Sequence, residues 1–328
     1  MSQKKLLGSL VLVCFVFLII PCTGTAEEID LHLFKTKTGK SSQASYQQVN
    51  PYRDGSGFGL RLMGGGFWLM KNDFDDHMQG RNDFFDDYTN MYPGNSVSSE
   101  YEPFNRGMDF SGEILINFTP YFGIGIGAGY IFAGIENTLE YTSSWGTEYD
   151  ITLHPQISAI PITASLYLGI PMGSAMKVVL NGGAGYYLGT VNYDLSYTSS
   201  SFSYLYEETD TWSAESNSLG FHGGLNFEFG FSPNFAFVIG ARGRYVKFTD
   251  LTGDYEEEWS DNWGSSGSAS YKDQILWFSM YDESITGEEY PLLIFAESKP
   301  VDPWYSDVRK AEASLSGIIL QAGIKLTF

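Results

Sequence analysis

From Gly57 to the last residue the chain repeats one pattern, segments of ten or more residues in which apolar residues alternate with small or polar ones. A repeat of two is that of a strand with two different faces. Eight such segments run near 57–70, 107–118, 121–133, 156–170, 175–193, 217–231, 235–249 and 311–328. In the sixth, Phe221, Leu225, Phe227, Phe229 and Phe231 share one face, and His222, Asn226 and Glu228 the other. In the seventh, Phe235, Phe237, Ile239 and Tyr245 oppose Arg242 and Arg244, and in the last Leu320, Ala322, Ile324, Leu326 and Phe328 oppose Gln321 and Lys325.

The connections alternate in length. The short ones carry proline, at Thr119-Pro120, Pro171 to Ser174 and Ser232-Pro233-Asn234, where a fixed φ ends a ladder. The long ones cover 71–106, about 134–155, 194–216 and 250–310, and they contain 31 of the chain's 39 carboxylates. A water-soluble sandwich scatters charge along the solvent face of its strands. Strands nearly free of charge between acidic loops point instead to a transmembrane barrel, with short periplasmic turns and long extracellular loops. Aromatic residues gather at strand ends, Tyr121, Phe122 and Phe231 at one level and Trp68, Tyr193 and Tyr245 at the other, where interfacial girdles belong.

The N-terminus agrees with export. Lys4 and Lys5 precede an apolar run from Leu6 to Ile20 and the small residues Thr23 to Ala26, which reads as a signal peptide over 1–26. A membrane anchor is the rival reading, but the run is short of the roughly 20 residues a helix needs to span. A lipoprotein is the other, with Pro21 before Cys22 where a small residue is wanted. Both cysteines lie in this segment, so the mature chain has no thiol chemistry. Without Lys4 and Lys5, 17 basic residues face 39 acidic ones, a balance that argues against nucleic acid as a partner. Residues 27–56 read as a polar periplasmic lead-in.

These features resemble the eight-stranded outer-membrane barrels typified by the OmpA and OmpX transmembrane domains. The likeness covers about 57–328. Its most specific element is the alternating C-terminus ending on Phe328, similar to the signal read by barrel-assembly machinery. The resemblance implies an all-β, antiparallel up-and-down barrel in the cell outer membrane, lipid and lipopolysaccharide being its surroundings. OmpA-type proteins often continue into a peptidoglycan-binding domain; here the sequence stops with its last strand, so tethering to the cell wall is not implied. Two apolar runs in the final loop, Gln274 to Tyr281 and Tyr290 to Ala296, leave a ten-stranded barrel open, although flanking carboxylates favour an extracellular extension.

Catalytic signals are sparse. His32, His77, His154 and His222 show no metal-site spacing, and no His-x-Ser setting of the kind used by lipid-modifying barrel enzymes occurs, so the expectation is no enzyme and no cofactor. Asp73, Asp75, Asp76, Asp83, Asp86 and Asp87 invite a calcium reading, but they lack the ordered spacing of a calcium loop, and a solvated acidic loop is the plainer reading, as for Glu256, Glu257 and Glu258. Two functions remain: a surface platform whose acidic, aromatic-rich loops contact lipopolysaccharide or external partners, and a narrow channel for a small solute. Gly123, Gly125, Gly127 and Gly129 all point inward and leave room for the second. Against it, alternation turns Arg61, Glu113, Glu228 and Lys325 inward near the periplasmic end, where two acids and two bases are expected to form an ion-paired plug. Arg242, Arg244 and His222 are expected to form a second, more positive layer above it.

Overall fold

The computed structural model describes residues 57–173 and 175–328, and the expected signal peptide and lead-in lie outside the described residues. Strand β1 (Gly57–Leu69) is followed by a helix, α1 (Asp73–Met91), then by β2 (Ser96–Glu100), β3 (Arg106–Asn117) and β4 (Phe122–Gly134). β5 (Asn137–Thr142) precedes three long strands, β6 (Thr147–Pro171), β7 (Met176–Ser201) and β8 (Tyr204–Ser232). After β9 (Phe235–Tyr245) and the short β10 (Lys247–Phe248) come β11 (Thr252–Asp261), β12 (Ser266–Glu283), β13 (Glu288–Ala296) and β14 (Tyr305–Lys310). The last two strands are β15 (Ala313–Ser314) and β16 (Gly317–Thr327).

β1, β3, β4, β6, β7, β8, β9 and β16 pair antiparallel in that order, and β16 pairs back onto β1. The ring is therefore closed. Closure leaves no free edge and satisfies the ladder internally, the condition a sheet must meet in hydrocarbon. The eight ring strands overlap the eight alternating segments. The runs at 274–281 and 290–296 form the β12–β13 hairpin outside this ring.

β6, β7 and β8 contain 25, 26 and 29 residues, far more than the roughly nine to eleven that cross a bilayer. They run through much of 134–155 and 194–216, which were expected to be loops. Their faces reverse along the way. In the ring Ile162, Leu166, Leu168 and Ile170 of β6 point outward and are exposed. Above Ile157 the outward positions of the same strand hold His154, Asp150 and Glu148, while Leu153 and Ile151 are buried inside. On β7 the outward series passes from Leu180, Tyr186 and Leu188 to Asn192 and Asp194, and on β8 from Phe221 and Leu219 to Glu215 and Glu207. An exterior that is apolar for about eleven residues and polar beyond is what lipid followed by water demands. The ring lies in an outer membrane and the extension stands in water.

That extension is a wall of strands in the order β13-β12-β11-β8-β7-β6-β5-β2. Helix α1 packs on β13 at one edge and touches β2 and β5 at the other. The segment was expected to be an acidic loop; the helix forms because Asn72 caps it, its side-chain oxygen accepting from the backbone N–H groups of Phe74 (2.9 Å) and Asp75 (3.2 Å). Asp73, Asp75 and Asp76 then occupy the first turn, where the helix dipole favours negative charge. The main apolar core sits in this cup, with Phe74, Met78, Tyr193, Trp212, Phe248 and Leu276 among its members. Tyr193, expected in a girdle, faces inward on β7 and packs on α1.

Candidate functional site

In the lipid-level part of the ring, alternation sends the charges into the lumen; Arg106, at the start of β3, has the opposite parity and is exposed. Arg61, Lys177, Arg244, Lys325, Asp109 and Glu228 are all buried. At the periplasmic end, Arg61 stands opposite both Glu113 and Lys325 in the ladder. Its guanidinium donates to Glu113 and to the Tyr167 hydroxyl oxygen, and that hydroxyl donates in turn to Glu113. The guanidinium also lies over the Tyr167 ring, 4.4 Å from its centroid. Lys325 Nζ is 3.1 Å from Glu228, and Lys177 is the register partner of Glu228 on β7. The four residues expected at this level lie in two ion pairs; Tyr167 bonds to both members of the first and Lys177 is the ladder partner of Glu228 in the second, and parity alone singles out neither.

Four residues from Glu113 along β3, at Asp109, the expected second layer takes a different form. Arg242 Nη2 (2.8 Å) and Arg244 Nη1 (2.5 Å) both donate to Asp109, one to each oxygen, and Arg244 Nε donates to the Leu315 carbonyl (2.8 Å). Asp109 is the counter-ion that sequence reading missed. It was legible, since Asp109 has the same parity on β3 as Glu113. His222 is bonded to neither arginine: its Nε2 lies 2.9 Å from Ser165 Oγ. Asn226 accepts from Gln321 at 3.0 Å.

The glycines of β4 do face this interior, and their space is taken. A Cβ on Gly125 would collide with Glu113 Oε1 and lie 2.8 Å from the Tyr167 ring. Glu113 also closes the space at Gly127, whereas Asn117 and the β3 backbone close it at Gly123 and the β3 backbone and Pro161 at Gly129. What stays open is a recess at the periplasmic end, bordered by Arg61, Lys177, Glu228, Lys325 and Tyr121.

In the cup, three of the six aspartates of α1 bond to residues outside the helix. Asp73 accepts from Arg309 (2.7 and 2.8 Å) and from Glu312 N (2.7 Å), Asp75 from Tyr101 (2.8 Å) and Phe104 N (3.0 Å), and Asp87 from Tyr290 (2.8 Å). Such carboxylates hold the helix to the wall. Among the described residues no group of three or more His, Cys, Asp or Glu is arranged to hold a metal ion. His77 is buried against the Tyr193 ring, its Nδ1 3.3 Å from the Pro291 carbonyl, and burial, with Arg81 nearby, pushes its imidazole down to about 3. Asp210 is pushed up to about 6, first by burial and then by Glu208 and Glu257, against the hydrogen bond from Tyr255.

No protein-family model matches the chain, and no curated protein matches it in sequence. Among solved structures, it is similar to a major outer membrane protein from Thermus thermophilus, with 12% identity over 83% of this chain and 100% of that one and a TM-score of 0.34. The outer membrane protease OmpT from Escherichia coli matches at 10% identity over 83% and 97%, with a TM-score of 0.27. The outer membrane protein OprG from Pseudomonas aeruginosa matches at 10% identity over 85% and 99%, with a TM-score of 0.26.

Proposed function

We propose that this outer-membrane barrel is a non-enzymatic surface platform. Its closed ring anchors an acidic, aromatic-lined cup whose outer carboxylates contact lipopolysaccharide through divalent cations or bind external partners. The observation that carries the reading is the reversal of faces along β6, β7 and β8, which lifts a wall of strands out of the lipid while ion pairs fill the lumen below. Cross-strand pairs on the wall support the divalent contact. Glu140 faces Asp150, Asp282 faces Glu289 and Glu283 faces Glu288 in register, and like charges directly opposite each other destabilise a sheet unless a cation lies between them. The partner at assembly is barrel-assembly machinery, met through the C-terminal strand and the exposed Phe328.

The test is binding of the refolded chain, held in nanodiscs, to a lipopolysaccharide surface. Binding with calcium or magnesium that is lost on chelation, and weakened in a variant with Glu140, Asp150, Asp282 and Glu289 changed to glutamine or asparagine, is the expected result. Binding that survives chelation, or none at all, contradicts it.

A further inference from the structure

The rim of the wall carries three aromatic side chains that neither the cup nor the lumen uses. Hairpins β5–β6, β7–β8 and β11–β12 stand side by side, and their tips are level. Thr147 at the start of β6 is in register with Ser201 at the end of β7. Across the next seam, Asn262 N donates to Leu205 O, Leu205 N donates to Asn262 Oδ1, and Asn262 Nδ2 donates to Ser203 O. At the three apices stand Trp145, 84% exposed, Phe202, 100% exposed, and Trp263, 74% exposed. With strands about 4.8 Å apart, they form a row about 20 Å long.

These residues do little for the core: Trp263 packs edge-on against the Tyr204 ring of the neighbouring hairpin, 5.2 Å between centroids, and Phe202 is fully exposed. Phe202 is the first of two turn residues and has φ 46°, a left-handed conformation that a bulky side chain adopts only under strain and that hairpins usually give to glycine or asparagine. It buries nothing in return. Strain held at an exposed apolar residue points to a use outside the chain. The tips are also nearly free of charge, being built from Ser143, Ser144, Ser201, Ser203 and Ser265. Their one carboxylate, Asp261, accepts from the backbone N–H groups of Trp263 and Ser265. The other acids start lower, at Glu148, Glu207 and Glu258.

We infer that this rim docks on a zwitterionic phospholipid surface of a second membrane, with Trp145, Phe202 and Trp263 entering the headgroup layer. Trp and other amphipathic rings settle at that depth. A level row spaced by serines fits a plane better than the pocket in which a protein hot spot sits. The acids below set the limit: a shallow seat keeps them in water, whereas an anionic surface would repel them. The inference shares with the platform reading only the outward orientation of the wall.

The test is cosedimentation of the full chain in nanodiscs with phosphatidylcholine vesicles, in chelator throughout so that divalent contacts play no part. Binding with a blue shift of tryptophan emission is expected. Changing Trp145, Phe202 and Trp263 together to serine should weaken it by about ten-fold, since affinity follows inserted apolar area. All three are exposed, so the compact barrel form on a gel should be retained. Vesicles containing phosphatidylglycerol should bind less. No binding to phosphatidylcholine, equal binding by the triple variant, or tighter binding to the anionic vesicles overturns the proposal. Binding only to vesicles that carry membrane proteins also overturns it and identifies a protein as the occupant.

Discussion

Glu113 shows what one buried carboxylate decides. It accepts from Arg61 and Tyr167 inside the barrel, and Glu113→Ala leaves the buried guanidinium without its charge partner. Breaking such a pair costs about 3 kcal/mol. The refolded variant should lose its compact, heat-modifiable form on a gel at a lower temperature than the parent, and Glu113→Gln, which keeps an acceptor, should lose less; no change in Glu113→Ala means the pair contributes nothing. His77 gives a pH dependence. Its folded value near 3 lies below the ordinary 6.5, so the unfolded chain takes up the proton first. Stability from this group is complete above 6.5 and is lost as pH falls from there towards 3. At pH 5 the loss is about 2 kcal/mol. Protease cleavage within 73–91 should therefore accelerate between pH 7 and 5, and His77→Gln should remove that dependence. Residues such as Arg61 and Glu113 were legible because parity fixes which side of a strand they take. Tyr167 and Lys177 obey the same rule, but parity does not reveal which inward residues meet across a tilted ring.

At the scale of elements, α1 is the part least visible beforehand. Its buried residues Phe74, His77 and Met78 do follow helical spacing, but six aspartates and the adjacent Phe84 and Phe85 obscure it. The cap is the clearest signal, and Asn72→Ala should destabilise the helix by about 1 kcal/mol. Gly80→Ala tests the docking. A Cβ there would lie 2.5 Å from Pro291 Cδ, so the substitution should loosen α1 despite alanine's better helix propensity. Faster proteolysis within 73–91 for both variants, with the ring intact, is the expected outcome; unchanged digestion means the helix is held elsewhere. The long strands were under-read for a different reason. Above the lipid their alternation continues with the faces exchanged, and Ser- and Thr-rich outward positions such as those at 196–201 look like loop.

For the whole molecule, the ring was legible because lipid requires apolar residues at every outward position, a demand that fixes strand positions as well as fold class. The extension answers to water and to its own core, and that weaker demand left only an acidic composition to read. The result is a molecule of two regimes on shared strands, charged inside and apolar outside in the membrane, then apolar inside and charged outside above it. The central claim is that the lower regime is an anchor and not a passage. Recording from the refolded full chain in a planar bilayer tests it most directly. Wild-type protein should show no steady conductance above the bare bilayer, because Arg61, Glu113, Tyr167, Glu228 and Lys325 close the lumen. Stable, ohmic single-channel currents from the wild-type barrel would contradict the account and give the conduit reading the lead.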